Sequence, residues 1–319
     1  MRIAGRDPLR VIITGIQSGV QESRKGEGWF AGNTSFFTIR LKFKREIMTQ
    51  YGFIGTGSMG SMLIRKIIGS GLVAPRGISA SSKSGISARA LAGITGITAE
   101  PSNRTVAGNA DVLFLCVKPL EVRGVLDEVR DVLKHGALLI SIAGCVSLEN
   151  LRDWTGDTGH CIRIIPSVTA EENAGISLVA WGHGVTPDDK KLVLGLLNAI
   201  STAVEIDEQN FDLYTNLTSC GPALIVAMMR EFAGAAVRTG SIPPELAEYL
   251  VKETMVGTAR ILEGDRATFD TVIGRVATKG GSTEEGVKVL QARLPDVMDE
   301  VLMALDAKRR VVSEKITGG

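Results

Sequence analysis

Residues 51 to 60, Tyr-Gly-Phe-Ile-Gly-Thr-Gly-Ser-Met-Gly, decide the fold of the first half of this chain. A short apolar run enters a turn whose glycines, Gly55, Gly57 and Gly60, stand at G-x-G-x-x-G spacing, and a helical apolar pattern leaves it. In a dinucleotide-binding turn the first glycine turns the chain, the second lets the backbone approach a pyrophosphate, and the third packs helix against strand. The stretch therefore predicts a pyrophosphate resting on the N-H groups of a helix that begins near Ser58.

Apolar strands alternate with helical segments from Tyr51 to about Asp207. Near-continuous apolar strands separated by helices are typical of a parallel sheet that is covered on both faces. The pattern therefore predicts a doubly wound, mostly parallel Rossmann sheet. The predicted strands are residues 51–55, 77–81, 112–117, 137–143, 161–165, 176–180 and 203–206.

After Asp207 the remaining residues favour helices only. Their apolar faces are numerous for so few residues, so this half is not expected to bury them alone. A homodimer or a higher homo-oligomer formed through these helices is the simplest solution. The fold class is therefore α/β, with an all-helical dimerisation domain after the Rossmann domain. The helices are predicted at about residues 222–240, 244–262 and 297–310, the last ending in basic residues that suit a helix C-terminus.

The chain divides into three predicted parts. Residues 1–47 are basic, contain a loose Gly/Ser/Asn-rich middle, and lack the apolar core and cleavage site of a secretory signal. Since Met48 stands three residues before the first strand, we expect residues 1–47 to be a poorly ordered upstream extension or a misplaced start. Residues 48–208 form the predicted dinucleotide-binding domain, and residues 209–319 form the predicted helical dimerisation and substrate domain.

The composition favours a protein that binds a small molecule. A length of 319 residues suits about two domains, and a net charge of +1 provides no broad field for nucleic acid or an anionic membrane. The four cysteines include no C-x-x-C pair and indicate free thiols in a reducing cytoplasm, and the three histidines give a metal site little support. No apolar stretch reaches the length of about 18 residues that would suggest a membrane span. We expect a cytoplasmic location and no nucleic-acid or membrane partner.

The end of the second predicted strand bears on the choice of cofactor. NAD sites usually carry an acidic residue about 20 positions after the glycines. Here Ser81, Ser82, Lys83 and Ser84 provide hydroxyls and a cation with no carboxylate. These groups suit a 2'-phosphate, so NADP(H) is preferred and NAD(H) remains possible. The alternative is a polar loop whose serines only cap a helix.

Two further strand ends are expected to border the cofactor. Ligands of open parallel sheets lie beyond the carboxyl ends of the strands, near the point where strand order reverses. The turn of Val117, Lys118 and Pro119 falls there, and Ala143 with Gly144 has side chains small enough for a nicotinamide to approach. The alternative is that these residues only form ordinary turns.

The stretch from Lys279 to Glu285 is the second informative one. Ser282 and Glu285 have the spacing of a capping box, which predicts two glycines and free N-H groups at a helix start. Such a start holds a carboxylate, and Thr283 adds a hydroxyl beside it. The alternative is a capped helix with a flexible entrance, and the acidic Glu284 and Glu285 count against an anionic ligand.

Four motifs together identify a family. Their order and spacing make the chain similar to the pyrroline-5-carboxylate reductase family over about residues 50–316. The resemblance implies NAD(P)H-dependent reduction of the cyclic imine 1-pyrroline-5-carboxylate to L-proline, a reaction of proline biosynthesis, by a Rossmann domain joined to a helical dimerisation domain. The motifs are GFIGTGSMG (52–60), DVLFLCVKP (111–119), TSCGPALIVAMM (218–229) and KGGSTEEGVKVLQ (279–291).

The same resemblance implies roles for individual residues. Thr283 would hydrogen-bond the ring nitrogen or carboxylate of the substrate and assist proton delivery. Ser81 would meet the adenosine end of the cofactor, and Asn103 would help to complete its cleft. The other implied residues are Ile54, Gly55, Thr56, Gly57, Ser58 and Met59 along the pyrophosphate, Val117, Lys118 and Pro119 in the cleft, Ala143 and Gly144 near the nicotinamide, and Gly280, Gly281 and Ser282 in the substrate loop.

Several positions depart from the family pattern. The substrate loop reads T-K-G-G-S-T at residues 278–283 where the family has S-P-G-G-x-T, and residues 218–224 read T-S-C-G-P-A-L where it has S-G-S-G-P-A-Y. Residues 165–169 read I-P-S-V-T in place of M-P-N-T-P, and Arg275 stands where substrate-contacting relatives carry Asn. These variants resemble the ComER-type late-competence branch of the family.

The departures leave alternatives open. The chain is either an imine reductase or a paralogue that binds a dinucleotide but acts as a regulatory or interaction protein. A third possibility, a 3-hydroxyacid dehydrogenase, predicts a catalytic lysine in the first long C-terminal helix, and residues 222–239 contain none.

Overall fold

The computed structural model of the protein describes residues 49–156, 160–264 and 267–318. The prediction made for residues 1–47 lies outside them. Within the described part, an eight-stranded sheet is followed by helices, which confirms the predicted fold class. The strands are β1 (Tyr51–Ile54), β2 (Ile78–Ser81), β3 (Thr98–Ala99), β4 (Val112–Leu115), β5 (Leu138–Ser141), β6 (His160–Ile165), β7 (Ile176–Trp181) and β8 (Thr202–Glu205).

The strands lie in the order β3-β2-β1-β4-β5-β6-β7-β8, with the order reversing between β1 and β4. Neighbours from β3 to β6 are parallel, but β7 runs antiparallel to β6, and β8 is parallel to β7. The β6–β7 connection is shorter than the dozen or so residues that a parallel crossover needs, which explains the reversal. Strand β3 was not predicted, because two residues are too few to form a periodic pattern.

Both faces of the sheet are buried. Side chains alternate along β1, so Phe53 packs into the apolar cluster on one face and Ile54 into the cluster on the other. The Phe53 ring stacks on Phe114 of β4 with centroids 4.5 Å apart. Burial on both faces is the reason that the central strands are apolar at nearly every position.

The helices of the first half follow the strands, and those of the second half follow each other. The prediction of three C-terminal helices was incomplete, since α7 and α10, of eight residues each, were too short to be recognised. The helices are α1 (Ser58–Gly69), α2 (Ile86–Thr95), α3 (Asn103–Asn109), α4 (Val122–Val129), α5 (Leu148–Thr155), α6 (Pro187–Asn198), α7 (Phe211–Thr218), α8 (Gly221–Arg238), α9 (Pro244–Leu262), α10 (Phe269–Val276) and α11 (Ser282–Thr317).

Helix α11 is longer than predicted. It begins 15 residues before Val297 and continues to Thr317, so the basic residues 308–310 lie inside the helix and the prediction that they end it was wrong. The extension is stabilised by tertiary packing, because Val312 and Ile316 join the apolar cluster on one face of the Rossmann sheet. The domain boundary near residue 208 stays a prediction; the last strand ends at Glu205.

The C-terminal helices leave large apolar side chains exposed, including Phe232 at 69% and Phe269 at 75%. A groove of about 720 Å³ runs between α8, α9 and α11. Within the described residues one helical segment, Glu208–Arg238, is long and apolar enough to cross a membrane by length and composition, contrary to expectation. An exposed apolar surface of this extent indicates an interface.

The hydrogen bonds of Asp111 predict how the fold responds to acid. Lys134 Nζ lies 2.7 Å from Asp111 Oδ1, and the Gln50 N-H donates to Oδ2 at 2.8 Å, which ties the starts of β1 and β4 together. Burial alone would raise the pKa of Asp111, but these bonds outweigh it and hold the pKa below its ordinary value of 3.8. This stability is present above pH 3.8 and is lost as the pH falls through the lower folded-state pKa.

We therefore expect Asp111→Asn to flatten the fall in Tm below pH 3.8, measured by thermal unfolding across a pH series. If Tm fell as steeply with decreasing pH in the variant as in the wild type, the stabilising role of the Asp111 carboxylate would be contradicted.

Candidate cofactor and substrate site

The three glycines of the first turn each have a distinct environment. Gly55 has φ +102°, and a Cβ there would stand 2.5 Å from the carbonyl oxygen of Cys116. A Cβ at Gly60 would collide with the carbonyl oxygen of Gly55, whereas one at Gly57 would meet nothing within 4 Å. Gly55 and Gly60 are thus required by the fold itself. Gly57 faces open space, as expected where a pyrophosphate approaches the backbone.

The start of α1 is arranged to bind an anion. Gly57 is its N-cap and provides no side-chain cap, and the first turn contains no acidic residue. The N-H groups of Ser58, Met59 and Gly60 precede the first helical hydrogen bond, from the Ser61 N-H to the Gly57 carbonyl. Uncapped N-H groups at the positive end of a helix dipole bind phosphate. The geometry thus fits the pyrophosphate of a dinucleotide.

The residues around this turn fix its shape. The buried Thr56 hydroxyl lies 2.7 Å from the Ser87 hydroxyl, and its carbonyl accepts from Ser61 Oγ at 2.8 Å. Ile54 accepts from the Cys116 N-H at 2.8 Å. Burial raises the pKa of the Cys116 thiol to about 12, so the thiol stays neutral and places no negative charge beside the turn.

Two residues predicted separately for the cofactor cleft lie in direct contact. The buried Ser81 hydroxyl, at the end of β2, donates to Asn103 Oδ1 at 2.8 Å. Asn103, the first residue of α3, in turn donates to Glu128 Oε2 at 2.8 Å. The chain of bonds fixes both side chains at the end of the sheet where the adenosine is expected.

Arg89 is a cation near the β2–α2 loop that sequence reasoning missed. A Cβ at Gly85 would stand 2.6 Å from Arg89 Nη1, so the guanidinium lies over the loop that carries Ser82 and Lys83. The Lys83 side chain is 95% exposed and only 3.9 Å from Glu121, an exposed pair that contributes little. Arg89 lies one turn into the helix after the loop, and that spacing was the signal available in the sequence.

The other two strand ends lie near the same edge of the sheet. Lys118 is exposed, and its N-H donates to Glu121 Oε2 at 3.3 Å. Pro119 opens a short turn, Pro119–Glu121, that packs against α11. After β5, the N-H of buried Ala143 donates to Ser141 Oγ at 3.3 Å. The Val117–Pro119 turn thus follows the carboxyl end of β4 with Lys118 exposed, and its role in the cofactor cleft stays a prediction.

Residues 143–147, which we name the 143–147 loop, have an unusual backbone. A Cβ at Gly144 would meet nothing within 4 Å, so the loop leaves open space at that position. Cys145 has φ +64°, a left-handed conformation that is costly for a residue with a side chain. Burial and the Asp212 carboxylate raise the pKa of its thiol, which lies within hydrogen-bonding reach of Ser313 on α11.

The predicted capping box at the substrate loop was wrong. Helix α11 begins at Ser282, so Gly281 is the N-cap and Ser282 is the first helical residue. The side chain that reaches back is Glu284, whose Oε2 accepts from the Gly280 N-H at 2.7 Å. Gly280, at φ +79°, makes the turn that lets Glu284 do so. The box failed because the helix starts one residue earlier than the pattern requires, at Ser282 rather than at Thr283.

Thr283 is exposed in the first turn of α11. The two acidic residues that counted against an anion are partly neutralised, because Lys288 Nζ lies 2.7 Å from Glu285 and 3.7 Å from Glu284. The N-H groups of Ser282 and Thr283 have no side-chain cap. The helix start can therefore hold a carboxylate.

Within one chain the substrate loop does not meet the cofactor cleft. Ser313 near the end of α11 contacts Cys145, whereas Thr283 stands 30 positions earlier on the same helix. At 1.5 Å per residue the two points are about 45 Å apart along the helix, and the bend expected at Pro295 shortens this little. The loop of each chain thus projects away from its own cleft.

Family models match both halves of the chain. Residues 208–311 match the model described as pyrroline-5-carboxylate reductase dimerisation. Residues 50–144 match the model described as NADP oxidoreductase coenzyme F420-dependent. The two matches fall on the helical half and on the cofactor half.

Whole-chain comparisons give the same result. The chain is 33% identical to pyrroline-5-carboxylate reductase 3 of Bacillus subtilis over 84% of its own length and 98% of that protein, and 30% identical to ComE operon protein 4 of the same organism over 78% and 91%. It is similar to the solved structure of a pyrroline-5-carboxylate reductase from Coxiella burnetii, with a TM-score of 0.76, 27% identity, and coverage of 83% of this chain and 99% of that one. The chain belongs to the pyrroline-5-carboxylate reductase family.

Proposed function

We propose that the protein is an NAD(P)H-dependent oxidoreductase that reduces the cyclic imine 1-pyrroline-5-carboxylate to L-proline. The observation that best supports cofactor binding is the open space at Gly57, at the start of a helix with uncapped N-H groups. Membership of the pyrroline-5-carboxylate reductase family supports the assignment of the reaction.

We assign NADP(H) as the preferred cofactor. The loop after β2 offers Ser82, Lys83 and the guanidinium of Arg89, and the matching model for this half describes an NADP oxidoreductase. A planar guanidinium suits a phosphate better than a ribose hydroxyl. The adenosine end would then lie at Ser81 and Asn103, and the nicotinamide near Ala143 and Gly144.

The substrate half of each site comes from a second copy of the chain in this proposal. The exposed groove of α8, α9 and α11 is where that copy would pack, and the dimerisation model covers the same helices. A two-fold dimer would place the substrate loop of one chain over the cofactor cleft of the other. The separation of about 45 Å along α11 within one chain supports this arrangement.

The chemistry divides between the cofactor and the chain. Bound NADPH supplies a hydride to the imine carbon. The N-H groups of Ser282 and Thr283 at the start of α11 hold the substrate carboxylate, and the Thr283 hydroxyl hydrogen-bonds the ring nitrogen or carboxylate and assists proton delivery. The apolar helices of the partner exclude water and hold the imine against the nicotinamide.

NADPH oxidation by the purified protein tests the proposal. We expect turnover with 1-pyrroline-5-carboxylate above that with other cyclic imines. Tight NADPH binding without turnover of any imine would favour the alternative, a regulatory or interaction paralogue. The likeness to ComE operon protein 4 and the exposed Arg275 beside the substrate loop support that alternative.

Arg89→Ala is expected to raise the KM for NADPH about tenfold and to leave that for NADH unchanged, because a charge-assisted bond to the 2'-phosphate is lost. Steady-state kinetics with both cofactors measure the two KM values, and Arg65→Ala, at an exposed position of α1, is the matched control. Equal effects on both cofactors would exclude a contact with the 2'-phosphate.

A further inference from the structure

One carboxylate joins the helical half of the chain to the 143–147 loop. Glu208, which follows β8, accepts two hydrogen bonds at the same oxygen, Oε1. One comes from Arg163 Nη1 on β6 at 2.7 Å, and the other comes from the N-H of Leu148 at 2.7 Å. Glu208 therefore connects the sheet, the loop exit and the entrance to α7.

The burial of the Arg163 guanidinium depends on its contact with Glu208. Its side chain is only 6% exposed, and its Cζ lies 4.3 Å from the centre of the Phe211 ring. Its Nε has no hydrogen-bond partner among the described residues. A buried guanidinium with one unsatisfied nitrogen is costly, so the Glu208 carboxylate is what makes its position tolerable.

Leu148 is the first residue of α5 and directly follows the 143–147 loop. The Glu208 contact therefore fixes the exit of the loop, and the Ala143 N-H bond to Ser141 fixes its entry. Between them Cys145 is held at φ +64°. Such a conformation persists only where the surroundings determine it strongly.

We propose that Glu208 and Arg163 are positioning residues for hydride transfer. They hold the 143–147 loop in the conformation that places Gly144 against the nicotinamide ring, and they make that conformation depend on the placement of the helical half. The inference rests on the proposed function in one respect, that this loop borders the nicotinamide.

The test removes both charges together. Glu208→Ala alone would leave a buried, uncompensated cation and is expected to unfold the protein. Arg163→Met combined with Glu208→Gln keeps the volume and leaves an oxygen for the Leu148 N-H. Phe211→Leu is a milder second variant, because it removes the ring face from the guanidinium while an apolar side chain still fills the buried position. Asp131→Asn is the control, since it removes the negative charge from an exposed Arg–carboxylate pair of the same 2.7 Å length.

Each folded variant is titrated with NADPH while nicotinamide emission is followed, and is then assayed with 1-pyrroline-5-carboxylate and NADPH deuterated at C4. We expect the double variant to bind NADPH, but without the increase in nicotinamide emission that accompanies binding. Its kcat should fall about tenfold with little change in the KM for NADPH, and its isotope effect should be larger. Phe211→Leu should change the same quantities less, and Asp131→Asn should change none.

The inference is overturned if the double variant and Phe211→Leu both match the control in emission gain, kcat and isotope effect. It is also overturned if the KM for NADPH rises with kcat unchanged. A wild-type protein that binds NADPH but reduces no imine would refute the proposed function alone, because the emission measurement still tests the loop. A wild-type protein that binds no NADPH would refute both.

Discussion

Gly57→Leu is expected to weaken NADPH binding by at least about a hundredfold while leaving the protein folded. The side chain would project into the space where the pyrophosphate lies, and loss of two N-H bonds to phosphate at about 1.5 kcal/mol each gives this magnitude. No atom lies within 4 Å of the new Cβ, and φ at Gly57 is −70°, so the chain accepts the substitution. Titration calorimetry with NADPH measures the affinity, and thermal unfolding measures the fold.

Gly93→Leu provides the matched control. Gly93 is an exposed residue of α2 whose Cβ would likewise meet nothing within 4 Å. It should change neither NADPH affinity nor turnover. Tight NADPH binding by folded Gly57→Leu would show that the pyrophosphate does not lie on this turn, and the cofactor assignment would fail with it.

Mixing two defective variants, Gly57→Leu and Thr283→Ala, is expected to restore about a quarter of wild-type activity. Alone, Thr283→Ala should lose about 1 to 3 kcal/mol of transition-state stabilisation, the value of one buried hydrogen bond to the substrate. In a dimer with shared sites, random pairing of equal amounts brings an intact cleft together with an intact loop in about one site in four. Co-refolding of the two proteins followed by an NADPH oxidation assay measures the recovery.

A loop that served its own chain would give the opposite result, since neither variant then contains an intact site and activity would stay at the mean of the two. A chain with both changes, mixed equally with wild type, supplies the control. It should leave about a quarter of the activity with shared sites and about a half with separate ones.

The predictions that succeeded rest on short-range patterns. The turn at Gly55 to Gly60 is recognisable because strand, glycine spacing and helix follow one another within a few residues. Gly55 and Gly60 are each required because a Cβ there would collide with nearby backbone atoms. The central strands were recognised because burial on both faces leaves an uninterrupted apolar run. The three long C-terminal helices contain enough apolar residues at helical spacing to be predicted from the sequence.

The predictions that failed depend on tertiary contacts or on the exact residue at which a helix starts. The extension of α11 past residue 310 follows from packing of Ile316 against the sheet. The reach-back at the substrate loop is made by Glu284 rather than Glu285, because the helix start is displaced by one residue. The hydrogen bond from Ser81 to Asn103 joins residues 22 positions apart, and no spacing rule predicted it.

The sequence by itself determined the class of this protein: a dinucleotide turn at the head of a doubly wound sheet, followed by helices with too much apolar surface for one chain. These features are local, since they arise from glycine sterics and from the periodicity of apolar side chains. Only the tertiary structure decided the direction of β7, the link from Arg163 through Glu208 to Leu148, and the separation of Thr283 from the cleft of its own chain. These features depend on the lengths of connections and helices and on where distant side chains meet, which no local pattern encodes.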